Sequence, residues 1–433
     1  MKFYSTNGQS NPVSFKDALL TGMPQDKGLY MPESIPDLSS IFKQDNDLTF
    51  QEISFLISSE FIDKELSVSQ VQDIIEKCIT FEAPNYNIFD NVYCLELFYG
   101  PTLAFKDFGA RFMARCMESF IQSANKEINI LVATSGDTGS AVAHGFYDVE
   151  GINVIILYPK GKVSNIQEKQ LTTLDKNIYV LEIDGTFDDC QKLVKKAFLD
   201  KSLKDKINLS SANSINIARL IPQIFYYAYS YLQLENKSLP TVFSVPCGNF
   251  GNITAGMIGK NIGIPIYQFI GATNSNDIVP NYLITEKYKP KPSVQTISNA
   301  MDVGNPSNLV RIIDLYSDID SIRSNLLSWS FNDDETSIMI SDISKKYDYV
   351  MCPHSSIGLL GLLKYMSMQS NHMNNVFLGT AHPGKFSDIV NPIINDTIEL
   401  PKRLKDVLLL EKKSVELNND YNEFYDYLLR TFE

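Results

Sequence analysis

From residue 128 onward the chain alternates short β-rich runs with stretches of helical periodicity. Ile128, Ile130, Leu131 and Val132 predict a strand over 128–134, running into a helix of small residues that opens near Ser135. Residues 151–158 and 177–183 predict two more strands. Between Thr186 and Asp200, apolar Phe187, Cys190, Leu193, Val194, Ala197 and Phe198 recur at spacings of three and four, the period of an amphipathic helix. Asp188 and Asp189 near its start and Lys195 and Lys196 near its end complement the helix dipole. The alternation returns later, with strands expected at 241–245, 264–270, 347–352 and 375–379.

Strands alternating with helices predict an α/β protein whose sheets are mostly parallel and flanked by helices. Two separated blocks of this kind predict two sheet-bearing domains, with a ligand at the carboxyl ends of the strands or between the domains. Residues 1–95 read differently, with helices expected at 50–61 and 67–78, and form an N-terminal module. The division expected is 1–95 for that module, 96–109 with 208–433 for the larger domain, and 110–207 for a smaller α/β domain. Residues 286–292 read as an exposed connection.

Composition narrows the function. Of 433 residues, 44% are hydrophobic and 21% charged, which suits a globular chain rather than a disordered one. The net charge of −13 argues against a nucleic-acid partner and requires any anionic ligand to be held by a local site. The N-terminus lacks the apolar run of a signal peptide, and no apolar stretch is long enough to span a bilayer, so a cytoplasmic location is expected. Cysteines 78, 94, 116, 190, 247 and 352 contain no CxxC pair and read as small buried hydrophobes in a reducing compartment. Histidines 144, 354, 372 and 382 have no metal-ligand spacing, so no metal is expected; Cys352-Pro353-His354 reads as incidental.

Two glycine-rich loops carry candidate chemistry. Gly248, Asn249, Phe250, Gly251 and Asn252 follow a strand and open a helix, where successive backbone N–H groups make an anion site and glycine admits a phosphate closely. The pattern matches neither GxGxxG nor GxxxxGK[ST]. A tight turn with no ligand explains this loop alone equally well. Ser135, Gly136, Asp137, Thr138 and Gly139 form a second such loop, suited to a carboxylate or phosphate, or else to capping its own helix. Lys106 lies between Phe105 and Phe108 at a helix start, where desolvation favours the neutral amine that a nucleophilic lysine needs. A snorkelling surface lysine paired with Asp107 is the plainer alternative.

Taken in order, these segments resemble the longer-chain branch of the threonine synthase family, enzymes of the pyridoxal-phosphate fold type II, or tryptophan-synthase-β-like, class. The motifs are Gly28-Leu29-Tyr30-Met31-Pro32, GPTLAFKDFGARF (100–112), TSGDTGSAVAHGFY (134–147), FDDCQ (187–191), SANSINIARLIPQ (211–223), GNFGN (248–252), SNAMDVGNPSN (298–308) and GTAHPGKF (379–386). They run nearly end to end, and in this order and spacing they are highly specific.

The resemblance implies a pyridoxal 5′-phosphate cofactor, bound by the larger domain and joined covalently to Lys106, whose freed amine then shuttles protons. It implies that residues 248–252 cradle the cofactor phosphate and that Thr380 hydrogen-bonds the pyridine nitrogen. A neutral hydroxyl there makes the ring a weaker electron sink than an Asp would. It implies that the 134–140 loop receives the substrate carboxylate. Asp137 departs from related enzymes that carry Asn there against the cofactor's 3′-oxygen. An ionised Asp beside a phenolate is repulsive, so one of them is protonated or Asp137 turns away. The implied reaction converts O-phospho-L-homoserine and water to L-threonine and phosphate, in a monomer or homodimer. Arg111, Asn213, Ser214, Asn216 and Arg219 are candidates for holding the substrate phosphate, with helix-surface bonding as their alternative. A dehydratase or phospho-lyase on the same scaffold, and a silent relative acting as a sensor, are the competing functions.

Overall fold

The computed structural model describes residues 1–43, 47–121, 127–134 and 136–433. A six-stranded sheet runs in the order Leu326–Ser330, Ile266–Thr273, Thr241–Pro246, Asn374–Gly379, Val92–Glu96, Asn85–Phe89, parallel except for the final hairpin. Its central strands are sandwiched between helices, so they read as near-continuous apolar runs: Thr241–Pro246 and Asn374–Gly379 are buried at every position. The helix Pro353–Ser367 lies across three of these strands. A second sheet, parallel throughout, runs Val415–Asn418, Ile178–Asp184, Ile152–Pro159, Ile128–Ala133, Leu209–Ser210.

Most elements follow the periodicity that predicts them. The helix Phe187–Leu199 opens on a capping box, Thr186 with Asp189, and buries Cys190, Leu193, Val194 and Ala197. The helices Phe50–Ile62 and Val68–Cys78 open on the boxes Thr49/Glu52 and Ser67/Gln70.

Four features differ from expectation. Residues 347–352 form no strand: Asp348, at φ 53°, ends the helix Asp333–Tyr347, and the chain then runs into the next helix at Cys352. Asn374–Gly379 is paired on both sides, and the edge of the sheet is taken by Leu326–Ser330, which the apolar pattern did not mark. The hairpin Asn85–Phe89 with Val92–Glu96 belongs to the large sheet rather than to the N-terminal module. The strand Val415–Asn418, grouped in sequence with the larger domain, completes the small sheet. There Leu417, Phe424 and Leu428 share a core with Leu131, Ile155, Leu181 and Leu193.

The N-terminal module is tied to the rest through a buried arginine. Arg311 donates from Nε and Nη2 to the carbonyl of Tyr30 (3.2 and 3.0 Å), from Nη2 to that of Ile215 (2.6 Å), and from Nη1 to Asn308 Oδ1 (2.7 Å). One guanidinium thereby fixes the Gly28–Pro32 motif against the 213–216 and 305–308 loops, both of which border the glycine cradle.

Candidate active site

Lys106 is the first residue of the helix Lys106–Ile121. The segment leading to it lies along the strand end of Asn374–Gly379. Leu97 N–H donates to Gly379 O (2.8 Å), Phe105 N–H to Thr380 O (2.9 Å), and His382 N–H to Leu103 O (3.0 Å). An antiparallel bridge pairs Ala104 with Ala381, and Leu103 turns the chain at φ 58°. Two motifs nearly 280 positions apart are thus brought together, setting Thr380 beside Lys106. Thr380 N–H in turn donates to Ser355 Oγ (3.2 Å).

Burial lowers the Lys106 amine to about 8, reinforced by Arg219 and Lys385 and opposed by Asp137. Asp107 does not pair with it. Its buried carboxylate accepts from Thr102 N–H (2.9 Å) and Oγ1 (2.7 Å), bracing the turn that precedes the lysine.

The loop 248–252 packs on the 300–301 segment, whose Ala300 N–H is bound to His354, a group that Lys106 acts on. Gly248 packs so tightly that an added Cβ would lie 2.8 Å from Met301 Cα. Phe250 sits in the left-handed region at φ 58° and heads the helix Gly251–Asn261, whose opening amides have no side-chain cap. Asn249 is fixed by Nδ2 donating to Ser214 Oγ (2.7 Å) and by Oδ1 accepting from Ser307 N–H (2.6 Å). Asn252 Oδ1 accepts from the hydroxyls of Tyr226 and Tyr227, both at 2.7 Å, while its buried Nδ2 has no partner among the described residues. An uncapped helix start, an orphaned amide donor, a glycine with no room for a side chain and a depressed amine together fit a phosphorylated aldehyde cofactor.

The 134–140 loop differs from expectation in who caps it. Thr134 Oγ1 accepts from the N–H groups of Gly136 (3.0 Å) and Gly139 (2.9 Å), so two donors expected to face a carboxylate are occupied. Gly136 adopts φ 144°, and a Cβ there would strike Gln167 Nε2 at 2.6 Å. Ser135 lies outside the described residues. Asp137 turns toward the buried Lys385, with 2.8 Å between Oδ1 and Nζ, and also accepts from Gln167 Nε2 (3.1 Å). Burial alone would raise its pKa, but Lys385, Lys106 and these bonds outweigh burial and hold the carboxyl well below the usual range.

Arg219 is buried beside Lys106. It donates from Nη1 to Ala212 O (2.7 Å), and its Nε is unpartnered among the described residues. Ser214 is bound to Asn249 of the 248–252 loop, and Asn213 lies partly exposed in the same turn as Ser214. The remaining two phosphate candidates are placed differently. Asn216 caps the short helix Ile217–Leu220 through Oδ1 and ties Leu19 O through Nδ2 (2.9 Å). Arg111 points to the end of the helix Val68–Cys78, donating to the carbonyls of Lys77 and Cys78 and to Thr80 Oγ1. Asn216 is committed to its two bonds, and Arg111 is turned by its Nε and Nη2 bonds toward the end of that helix, so both are placed apart from the phosphate candidates Arg219, Asn213 and Ser214.

Two functional neighbours escaped the sequence reading. Lys385 lay inside the GTAHPGKF motif without a role; no signal in its flanking residues marks it as Asp137's counter-ion. His354, which the sequence marks only as no metal ligand, accepts from Ala300 N–H at Nε2 (3.2 Å) and keeps an unpartnered, buried Nδ1 among the described residues. Burial lowers it to about 4, with Asp137 opposing and Lys106 and Lys385 reinforcing, so it is neutral near pH 7. Among the described residues no cluster of three potential metal ligands occurs, and no helix is long and apolar enough to cross a membrane.

Comparison with known proteins places these features in company. Family models described as pyridoxal-phosphate dependent enzyme, threonine synthase N terminus and threonine synthase C-terminal match residues 79–377, 2–79 and 355–427. Threonine synthase of Buchnera aphidicola subsp. Schizaphis graminum is 45% identical over 99% of this chain and 100% of its own. The crystal structure of threonine synthase from Escherichia coli is similar at a TM-score of 0.91 and 40% identity, covering 100% of both chains. That of pyridoxal-phosphate-bound threonine synthase from Brucella melitensis is similar at 0.94 and 33% identity, again over 100% of each.

Proposed function

The chain belongs to the threonine synthase family of pyridoxal-phosphate-dependent enzymes, and from that premise we propose that it converts O-phospho-L-homoserine and water to L-threonine and phosphate. The observation that carries this is a depressed lysine amine set beside Thr380, in a chain that also holds an uncapped, glycine-lined helix start with an orphaned amide donor.

Pyridoxal phosphate, when bound, supplies the electron sink that stabilises negative charge developing on substrate carbon. Residues 248–252 would hold its phosphate, with the free amides of the helix start and Asn252 Nδ2 as donors, while Lys106 would anchor its aldehyde and Thr380 would serve its ring nitrogen. Lys106 Nζ moves the protons: it takes one from substrate Cα, then one from Cβ, and returns one to Cγ once phosphate has left and one to Cα at the end, while the proton released by the adding water goes to the departed phosphate. An amine near 8 both accepts and returns protons at working pH, since neither form is strongly favoured. Phosphate departs from Cγ and water adds at Cβ, so the atoms of substrate and water equal those of threonine and phosphate.

The departing phosphate needs cationic help inside an acidic protein. Arg219 supports that role, because a buried guanidinium with an unpartnered Nε gains most from an arriving anion. Asn213 and Ser214 lie in the turn that leads into its helix. Thr138 and the amides of the 136–139 loop receive the substrate carboxylate, after exchanging their bonds to Thr134. Six buried, unpaired thiols support a reducing, cytoplasmic setting, and we assign a monomer or homodimer with no nucleic-acid partner. Incubation with O-phosphohomoserine tests the proposal: threonine and phosphate in equal amounts support it, and 2-oxobutyrate as the sole organic product refutes it in favour of a dehydratase-like lyase.

A further inference from the structure

Lys385 is a wholly buried lysine that, among the described residues, touches Asp137 directly and faces Asp107, His144 and His382 at longer range. It projects from the turn Pro383–Phe386, places Nζ 2.8 Å from Asp137 Oδ1, and donates to Thr102 O at 2.7 Å. Burying a lysine this completely is costly unless a counter-ion and hydrogen bonds compensate, and both are present. Asp137 is also the carboxylate that acts on Lys106. The other charged or titratable groups facing Lys106 are Arg219 on the helix Ile217–Leu220, Lys385 itself, and neutral His354 at the start of Pro353–Ser367. Asp107, next in the chain, is committed to Thr102. The cleft therefore holds two lysines and one carboxylate available to them.

We propose that Lys385 is a positioning residue that competes with Lys106 for Asp137, sequestering that carboxylate in a buried ion pair so that Lys106 stays free to act as a neutral amine. The inference rests on Lys106 being the cofactor-bearing lysine.

The reasoning follows from charge balance. With Lys385 charged and paired, the Asp137 charge is cancelled and Lys106 gains little from a proton. Without the Lys385 charge, a buried carboxylate is left uncompensated, and its nearest remedy is a protonated Lys106. That ammonium has no lone pair. Attachment of the cofactor joins Nζ to the aldehyde carbon, and the aldehyde oxygen leaves as water with the two amine protons, so an ammonium cannot begin it. The pairing also answers the charge question at position 137: Lys385, rather than protonation of the carboxyl, absorbs the negative charge.

The test uses the full-length chain freed of cofactor, reloaded with pyridoxal 5′-phosphate at a series of pH values, trapped with borohydride and read by mass at the Lys106 peptide. The unaltered chain should load with a midpoint near 8. Lys385→Met should raise the midpoint by about one unit or more and slow loading about tenfold near pH 7, while Lys385→Arg stays near the starting value. Adding Asp137→Asn to Lys385→Met should restore the midpoint, a rescue that a purely structural role does not give. Asp137→Asn alone should lower it, which keeps the idea testable if Lys385→Met fails to fold. An unmoved midpoint in Lys385→Met or in Asp137→Asn, or a double variant as slow as Lys385→Met, overturns the inference. An unaltered chain that takes no label at Lys106 overturns the functional reading itself, a distinct result.

Discussion

Replacing Gly248 with Ala separates a phosphate cradle from an ordinary turn. The added Cβ would lie 2.8 Å from Met301 Cα, 3.1 Å from Ala300 O and 3.3 Å from Val303 Cγ2. Carbon atoms pack best at about 3.5–4.0 Å, so the closest of these contacts is too short by roughly 0.7 Å or more. The opposing backbone cannot retreat easily: Ala300 N–H is bound to His354 Nε2 (3.2 Å), Met301 N–H to Ser298 O (2.9 Å), and Thr296 N–H to Asp302 Oδ2 (3.1 Å). The cradle must therefore move instead, toward the space a phosphate would fill. Overpacking of this kind costs about 1–3 kcal/mol. Drawn from cofactor binding, that is a loss of about 5- to 150-fold in affinity. Gly251→Ala is the milder comparison, because its Cβ would meet Asn308 Nδ2 at 3.2 Å and otherwise lie in ordinary contact with Asn308 Cγ (3.7 Å) and Ser214 O (4.0 Å); it should cost clearly less than Gly248→Ala, about threefold. Equilibrium titration of pyridoxal phosphate into cofactor-free protein, with thermal unfolding of the same samples, measures both. Equal losses for the two variants, or unchanged affinity in Gly248→Ala, would refute the placement of the phosphate.

Other substitutions probe the rest of the site. Lys106→Ala should lose threonine formation by on the order of 10³ or more while keeping its circular dichroism and melting profile; robust turnover would remove Lys106 from proton transfer. Arg219→Gln should raise KM for O-phosphohomoserine about tenfold or more, with a smaller change in cofactor affinity, and the reverse pattern would move Arg219 to the cofactor side. Thr380→Asp should favour a protonated ring and increase side products such as 2-oxobutyrate, which chromatography of the reaction mixture would detect; an unchanged product pattern contradicts the assignment. Because burial depresses the Lys106 amine, its neutral form accumulates as pH rises, so loading rate should climb toward a plateau above about pH 8. A rate that falls over that interval would contradict the sign of the shift.

Local signals carried much of the fold. Strands buried on both faces announce themselves as unbroken apolar runs, as Ile128–Ala133 and Ile152–Pro159 do, and the cap at Thr186 marks its helix to within a residue. What escaped depended on partners distant in sequence. Val415–Asn418 is short and largely exposed, and only its register against Ile178–Asp184 makes it a strand. The apolar run at 347–352 reads as a strand by composition, yet only Met351 and Cys352 are buried and the segment is the link between two helices, with Tyr347 and Tyr349 stacked on Phe89 and Tyr86. In the site, the two glycine loops and Lys106 declared themselves by residue type. Lys385 did not, because the carboxylate that gives it meaning lies 248 positions away. Arg111 misled for the converse reason: it sits five residues from Lys106, but a helix turns it toward Cys78.

The account stands on the covalent attachment at Lys106. Borohydride reduction of the protein loaded with pyridoxal phosphate, followed by proteolysis and mass spectrometry, reads it directly. A single phosphopyridoxyl group on the peptide containing Lys106 is the predicted result. The same label on Lys385 or on any other lysine, with Lys106 unmodified, would contradict it.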